Sequence, residues 1–321
     1  MNQGFEVYDA EMQDRELNRK HWPERVAERT TDAAIALLKD RSEAPLFLWV
    51  HYQDPHGPYT PPARFAAQFR VEEPPRELEA NASLSGIGGI PSYQLIGDQR
   101  NYHEYVSRYD GEIRYVDTHL QRLIDAIRER GLYDDALIVF TADHGEAMGE
   151  RNFFFAHGSY LYNNLIHVPL IVKHGDRLSG RRSDVCQLID VVPTILTLLG
   201  LDLDPRLRGR DLLDEQASSS PIYAETRAPV EKDGRKFSLL LDGFKLIHVP
   251  EYETYELFDL SSDPGEEHNL ASDPTYAARL RDLLARLEGV RADDRLGMAR
   301  QTPPLLTDEE REKLRSLGYL E

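Results

Sequence analysis

The stretch Leu137-Ile138-Val139-Phe140-Thr141-Ala142-Asp143-His144-Gly145-Glu146 is an apolar run that stops abruptly at an acid, an imidazole and a glycine. Four consecutive apolar residues of β-branched and aromatic character read as a buried strand of a parallel sheet. Ligands of such sheets gather beyond the carboxyl ends of the strands, which is where Asp143 and His144 fall. A carboxylate oxygen beside a neutral imidazole nitrogen is half of a divalent-metal site, and Gly145 lets the backbone turn tightly away. A strand end capped by polar turn residues fits the same letters, and the stretch alone leaves both readings open.

The surroundings add two blocks of the same kind. Upstream, Pro45-Leu46-Phe47-Leu48-Trp49-Val50 is a second buried-strand candidate and runs into His51-Tyr52-Gln53-Asp54-Pro55-His56-Gly57-Pro58-Tyr59. Downstream, Phe155-Ala156-His157-Gly158-Ser159-Tyr160-Leu161-Tyr162 precedes a third candidate strand, Val168-Pro169-Leu170-Ile171-Val172-Lys173. The three blocks in this order, HYQDPHGPY, TADHGE and AHGSYLYNN leading into HVPLIV, resemble the sulfatase family of the alkaline-phosphatase-like superfamily. The segments Phe244–Ile247, Tyr255–Leu260 and Asp263–Glu266 and the ending Leu314–Leu320 resemble the same family. The resemblance implies an α/β fold, a mostly parallel alkaline-phosphatase-like sheet flanked by helices with its amino-terminal part missing. A smaller C-terminal α+β subdomain with an antiparallel sheet is expected to follow, dividing the chain into residues 1–215 and 216–321.

By the same resemblance, Asp143 and His144 bind the divalent cation, with calcium the expected ion and manganese the alternative. His56 corresponds to the histidine that contacts the sulfate group. His157 stands where the family often has a sulfate-contacting lysine, and an imidazole titrates near neutrality where lysine does not. Asp54 and Tyr59 read either as lining the mouth or as loop packing, and His51 as a packing group behind it. The implied reaction is hydrolysis of a small or saccharide sulfate ester by a hydrated formylglycine made from Cys/Ser-x-Pro-x-Arg. That motif does not occur in these 321 residues. Cys186, in Val185-Cys186-Gln187-Leu188-Ile189, lacks the Pro-x-Arg and reads as a buried structural thiol. Thr60-Pro61-Pro62-Ala63-Arg64 is a formal near-match with Thr in the nucleophile place, but it directly follows the DPHGPY loop. The chain thus reads as a truncated sulfatase, inactive in isolation and lacking the nucleophile block and two further metal-binding aspartates. Two other readings stand beside it, a phosphodiester or phosphonate monoester hydrolase of the same superfamily and a non-catalytic remnant or interaction module.

Composition narrows the partners. At 40% hydrophobic residues, 321 residues suffice for one sizeable core plus a smaller domain. A net charge of −18 opposes nucleic acid and anionic membranes, and no apolar run approaches membrane-spanning length. One cysteine excludes an intramolecular disulfide, while compartment and oligomeric state are not legible.

Along the chain, Met1–Arg19 is polar, and Asp9, Glu11, Asp14 and Glu16 read as a solvated face. The spacing predicts a helix over residues 22–39 with Pro23 in its first turn, and another over 100–130 whose tyrosine stripe is core. Glu112 on the latter reads as structural or solvent-facing. Asn81–Gly97 reads as a flexible loop near the substrate mouth, and Asp190 as the cap of a helix over 191–199. Tyr223–Thr226 is a short strand candidate. Residues 236–242, 244–249 and 255–259 predict an antiparallel sheet, covered by a helix over 277–287, with a last helix from Thr307 to Ser316.

Overall fold

The computed structural model describes residues 3–40, 45–175, 178–214, 220–226 and 234–292. Its first elements are a minimal antiparallel pair, β1 (Asp14–Arg15) against β2 (Pro23–Glu24). Pro23 therefore lies in an edge strand, where its missing N–H costs nothing, and not in the first turn of α1 (Ala27–Asp40). Glu16 corrects the expectation of a solvated acidic face. It is 3% exposed and paired with Arg19 at 2.5 Å. After the short α2 (Ala63–Ala66), α3 (Tyr102–Glu129) spans 28 residues, opened by Asn101, whose side chain accepts the His103 N–H at 3.2 Å. Tyr105 and Leu123 of the predicted stripe are buried, as is Tyr115 outside it, while Ile113 of the stripe turns outward. Helix α1 packs Ala34 and Leu38 against Leu123, and Leu48 and Val50 join this cluster.

The strand expected over residues 45–50 is not in a ladder. Leu48 and Val50 face the helices, whereas Phe47 and Trp49 are about two-thirds exposed at 68% and 69%. A central parallel strand needs a hydrogen-bonded neighbour on each edge, and none of the described strands supplies one.

The decisive apolar run does form a strand, β3 (Leu137–Thr141). The chain turns back at Asp143–Glu146, passes through the one-turn helix α4 (Asn163–Ile166), and returns as β4 (Leu170–His174). The pair is antiparallel, in register from Leu137 opposite His174 to Thr141 opposite Leu170. A mostly parallel sheet is thus not what the described strands form among themselves: every described ladder is antiparallel. Helix α5 (Val191–Leu198) lies over Val139, Leu170 and Val172 with Ile195 and Leu198. Asp190 does not cap α5. Its carboxylate accepts the N–H groups of Gln187 and Arg210, each at 2.9 Å, and so fastens the turn before the helix.

The C-terminal part matches its reading closely. Strands β5 (Ile222–Thr226), β6 (Lys236–Leu241), β7 (Phe244–Val249) and β8 (Thr254–Asp259) form an antiparallel sheet in that order. Asp242 and Gly243 both take positive φ, 51° and 78°, as a two-residue hairpin turn demands. Helix α6 (Ala277–Ala292) buries Leu283 and Leu287 on Phe237, Leu239, Leu246 and Leu257. The helix expected from Thr307 lies outside the described residues, and no described helix is long and apolar enough to cross a membrane.

Candidate active site

Asp143 and His144 leave the end of β3 side by side. The Asp143 Oδ1 accepts the His144 N–H at 3.0 Å, which folds the carboxylate back toward the imidazole. The His144 ring meets the Gly145 carbonyl oxygen through Nδ1 at 2.8 Å. A carbonyl can only accept, so Nδ1 carries the proton and Nε2 presents a lone pair. That Nε2 lies 3.8 Å from Asp143 Oδ1, with both side chains partly open to solvent. Two donor atoms on one rim, in the correct tautomer, fit one edge of a divalent cation's shell. Among the described residues no set of three or more His, Cys, Asp or Glu side chains forms a complete metal cluster.

The other two predicted histidines converge on this pair. His157 stacks on His144 with ring centroids 4.0 Å apart, and His56 meets His157 edge-on at 5.2 Å. All four expected site residues therefore share one place. Glu146 organises it, and the sequence reading did not assign it. Its buried carboxylate accepts from His157 Nδ1 at 3.2 Å. Burial by itself would strip the His157 proton, but the Glu146 charge and hydrogen bond prevail and raise its pKa above the usual histidine value. Burial likewise opposes ionisation of Glu146, and the His157 partner prevails to lower its pKa. His56 goes the other way: burial, then repulsion from His157, pushes it down to about 4. The ionised Glu146 therefore favours the protonated form of His157, while burial favours the neutral form of His56.

The loop carrying His56 is packed from below and from the side. Tyr59 is fully buried, its phenol directed at Glu146 and its ring edge-on to Phe155 at 6.1 Å, so of its two readings packing holds. His51 is exposed. Residues 81–97 are not a loose loop. The Tyr93 hydroxyl and Gln94 Nε2 both donate to the Phe155 carbonyl at 3.0 Å, and the Tyr93 ring stacks on His56 at 6.4 Å. Gly57 permits this closure, because a Cβ there would stand 1.8 Å from Gln94 Nε2. Thr60 is exposed, and Cys186 is a half-buried free thiol whose pKa burial raises.

The C-terminal sheet reaches the site through α4. Glu266 is buried, accepts the Asn163 N–H at 2.5 Å, and pairs with the buried Lys245 at 2.6 Å. Lys245 also donates to Asn163 Oδ1 at 3.0 Å. Two residues further along, the Leu165 carbonyl accepts the Gly145 N–H at 2.7 Å. A side chain at Gly145 would meet the Asn164 carbonyl at 2.1 Å, so only glycine lets the turn after β3 dock here. On the far side of His157, the Thr226 hydroxyl of β5 donates to the Gly158 carbonyl.

The comparisons with known proteins bear on the family and the fold. The family model described as Sulfatase matches residues 2–201, and one described as N-sulphoglucosamine sulphohydrolase, C-terminal, matches residues 149–293. The multifunctional alkaline phosphatase superfamily protein PehA of Trinickia caryophylli is 30% identical over 86% of this chain and 62% of its own length. An arylsulfatase of Clostridium perfringens is 25% identical over 80% of this chain and 56% of its own. The chain thus spans about three-fifths of the length of these curated relatives. Among solved structures, BT4656 in complex with its substrate D-glucosamine-2-N,6-O-disulfate superposes with a TM-score of 0.68. It is 20% identical, with 83% of this chain and 69% of that one covered. A phosphonate monoester hydrolase of Agrobacterium radiobacter gives 0.66 at 23% identity, covering 84% and 62%. These likenesses show the alkaline-phosphatase-like fold that sulfatases share.

Proposed function

This chain belongs to the sulfatase family, and on that premise we propose that it carries the cation and sulfate-binding wall of a metal-dependent sulfuric ester hydrolase. The observation that supports this reading is the convergence of Asp143, His144, His157 and His56 at the end of β3. Asp143 Oδ1 and His144 Nε2 hold the cation, calcium or manganese, which when bound supplies Lewis-acid stabilisation of charge on the ester oxygens. His157, whose protonated form Glu146 favours, offers an N–H and, when protonated, a positive charge to a sulfate oxygen. His56, kept neutral, offers an imidazole N–H or lone pair toward the oxygen bridging sulfur and carbon. The substrate class is a small or saccharide sulfate ester. The nucleophile has no candidate in these residues, because Cys/Ser-x-Pro-x-Arg is absent and Thr60 lies in its own exposed turn.

A second reading, hydrolysis of phosphonate or phosphate esters, is favoured by the 30% identical multifunctional alkaline phosphatase superfamily relative and by the imidazole pair at the oxyanion position. Calorimetric titration with Ca²⁺ and Mn²⁺ tests the cation assignment. Binding is expected in the 321-residue chain and lost in both Asp143→Ala and His144→Ala, and undiminished binding in either variant counts against it. The same chain saturated with cation is expected to leave an aryl sulfate and an aryl phosphonate unhydrolysed, for want of a nucleophile. Turnover of one of them would identify both the missing group's presence and the preferred ester.

A further inference from the structure

The loop that carries His56 is held at both ends by carboxyl groups. Asp54 opens the loop, and its side chain accepts the N–H of Ala27 at the start of α1. Glu112, 4% exposed on α3, accepts the Thr60 N–H at 2.8 Å where the loop ends. The two carboxyls also lie within hydrogen-bond reach of each other. Asp54 Oδ2 and Glu112 Oε2 are both shut off from solvent, and neither has a donor among the described residues. Two facing carboxylate oxygens repel, and a buried acceptor without a donor is costly. A single proton between them satisfies both oxygens at once.

We propose that Asp54 and Glu112 share one proton, and that this acid pair is the positioning element that fixes the His56 loop against α1 and α3. The inference rests on the placement of His56 at the site, but not on the identity of the ester. It also explains why no basic side chain is needed at this point of the loop. Arg19 and Arg25 are engaged elsewhere, with Glu16 and Asp9. The further groups facing the pair are Glu24 from β2, with Asp14 and Glu16 behind it, and the phenols of Tyr52 and Tyr115. The carboxylates among them oppose a second negative charge. Consistent with this, burial and the Asp54 charge push Glu112 up to about 9, and burial raises Asp54. Raising the pH through that region removes the shared proton and leaves two carboxylates face to face, which loosens the loop.

The test is an NMR titration of the full chain labelled at the Asp and Glu carboxyl carbons and the histidine rings, with Glu112→Gln and Glu112→Ala beside it. In the unaltered chain one carboxyl of the pair is expected to keep its proton through neutral pH. The His56 ring, whose pKa burial pushes down to about 4, is expected to show a second inflection near 9 as the pair ionises. Glu112→Gln offers an amide donor to Asp54 and a carbonyl to Thr60. It should keep Thr60 amide exchange at the level of the unaltered chain and abolish the alkaline inflection. Glu112→Ala should speed Thr60 exchange about tenfold, the worth of one hydrogen bond. If Glu112→Ala does not fold, the glutamine variant decides alone. Ordinary acidic titration of both carboxyls, or an alkaline inflection surviving in Glu112→Gln, overturns the proposal. No substrate enters these readouts, whereas the sulfate role of His56 is read separately by adding sulfate ion to the same sample.

Discussion

The protonated form of His157 is favoured by one neighbour. Its ring is mostly buried, which disfavours charge, and Glu146 at 3.2 Å reverses the balance. The raised imidazole contributes stability that is complete below its unfolded value of 6.5 and lost as pH rises through the folded value. The depressed Glu146 contributes stability that is complete above 4.5 and lost as pH falls through its folded value. The pair therefore stabilises most between 4.5 and 6.5. His56 runs the other way: its stabilising neutrality is complete above 6.5 and erodes as pH falls toward 4. Glu146→Gln keeps an acceptor but removes the charge, so it should cost about 2 kcal/mol near pH 6 and less at pH 8.5. Thermal melts across that range check it, and an equal loss at every pH would sink the idea. The histidines and Asp143 were legible because each follows an apolar run or sits in a motif. Glu146 was not, since a glutamate after a turn is ordinarily solvated, and only the packing of Tyr59 and His157 around it reveals its burial.

At the scale of elements, the site turn depends on a sheet that contributes no site residue. Lys245 of β7 and Glu266 grip Asn163, α4 carries the Leu165 carbonyl, and that carbonyl holds Gly145. Lys245→Met would strand the Glu266 charge in the interior at a cost of about 3–5 kcal/mol. Lys245→Met with Glu266→Gln should recover most of that loss, since a neutral amide still accepts the Asn163 N–H. Denaturant unfolding of the two singles and the double measures the coupling, and strictly additive losses would show that the pair does not act as a unit. None of this was readable in the sequence, where Lys245 alternates with apolar residues like any outward-facing strand lysine. Elements with their own periodicity, α3, α6 and the β6–β8 meander, were legible because the pattern and turn chemistry are local. Pro23 and Asp190 were misread because a proline or aspartate fits several positions near a helix start, and neighbours in space choose among them. The direction of β4 is not legible in the sequence, because an apolar strand reads the same way in a parallel or an antiparallel pair.

For the molecule as a whole, charge and apolar exposure act against each other. The alternation in residues 46–50 puts Leu48 and Val50 on the helices and leaves Phe47 and Trp49 outward, 68% and 69% exposed, with the Phe5 ring tilted against Phe47 at 5.8 Å. Ile171 of β4 adds a further outward side chain at 61%. Fully burying a Phe-sized side chain is worth about 1.5–3 kcal/mol, and most of that is unrealised here, which leaves these rings available for contact with another surface. The net charge of −18 holds copies apart, but only over a Debye length, about 10 Å at 0.1 M salt and about 3 Å at 1 M. Self-association of the chain should therefore increase with added salt. Phe47→Ser with Trp49→Ser should suppress that increase and change stability by no more than about 0.5 kcal/mol, as expected of exposed positions. Sedimentation velocity at low and high salt, with melts of the same samples, checks both halves. A variant that still associates with salt would place the sticky surface elsewhere, and a large drop in stability would mean that the two rings are part of the fold's own core.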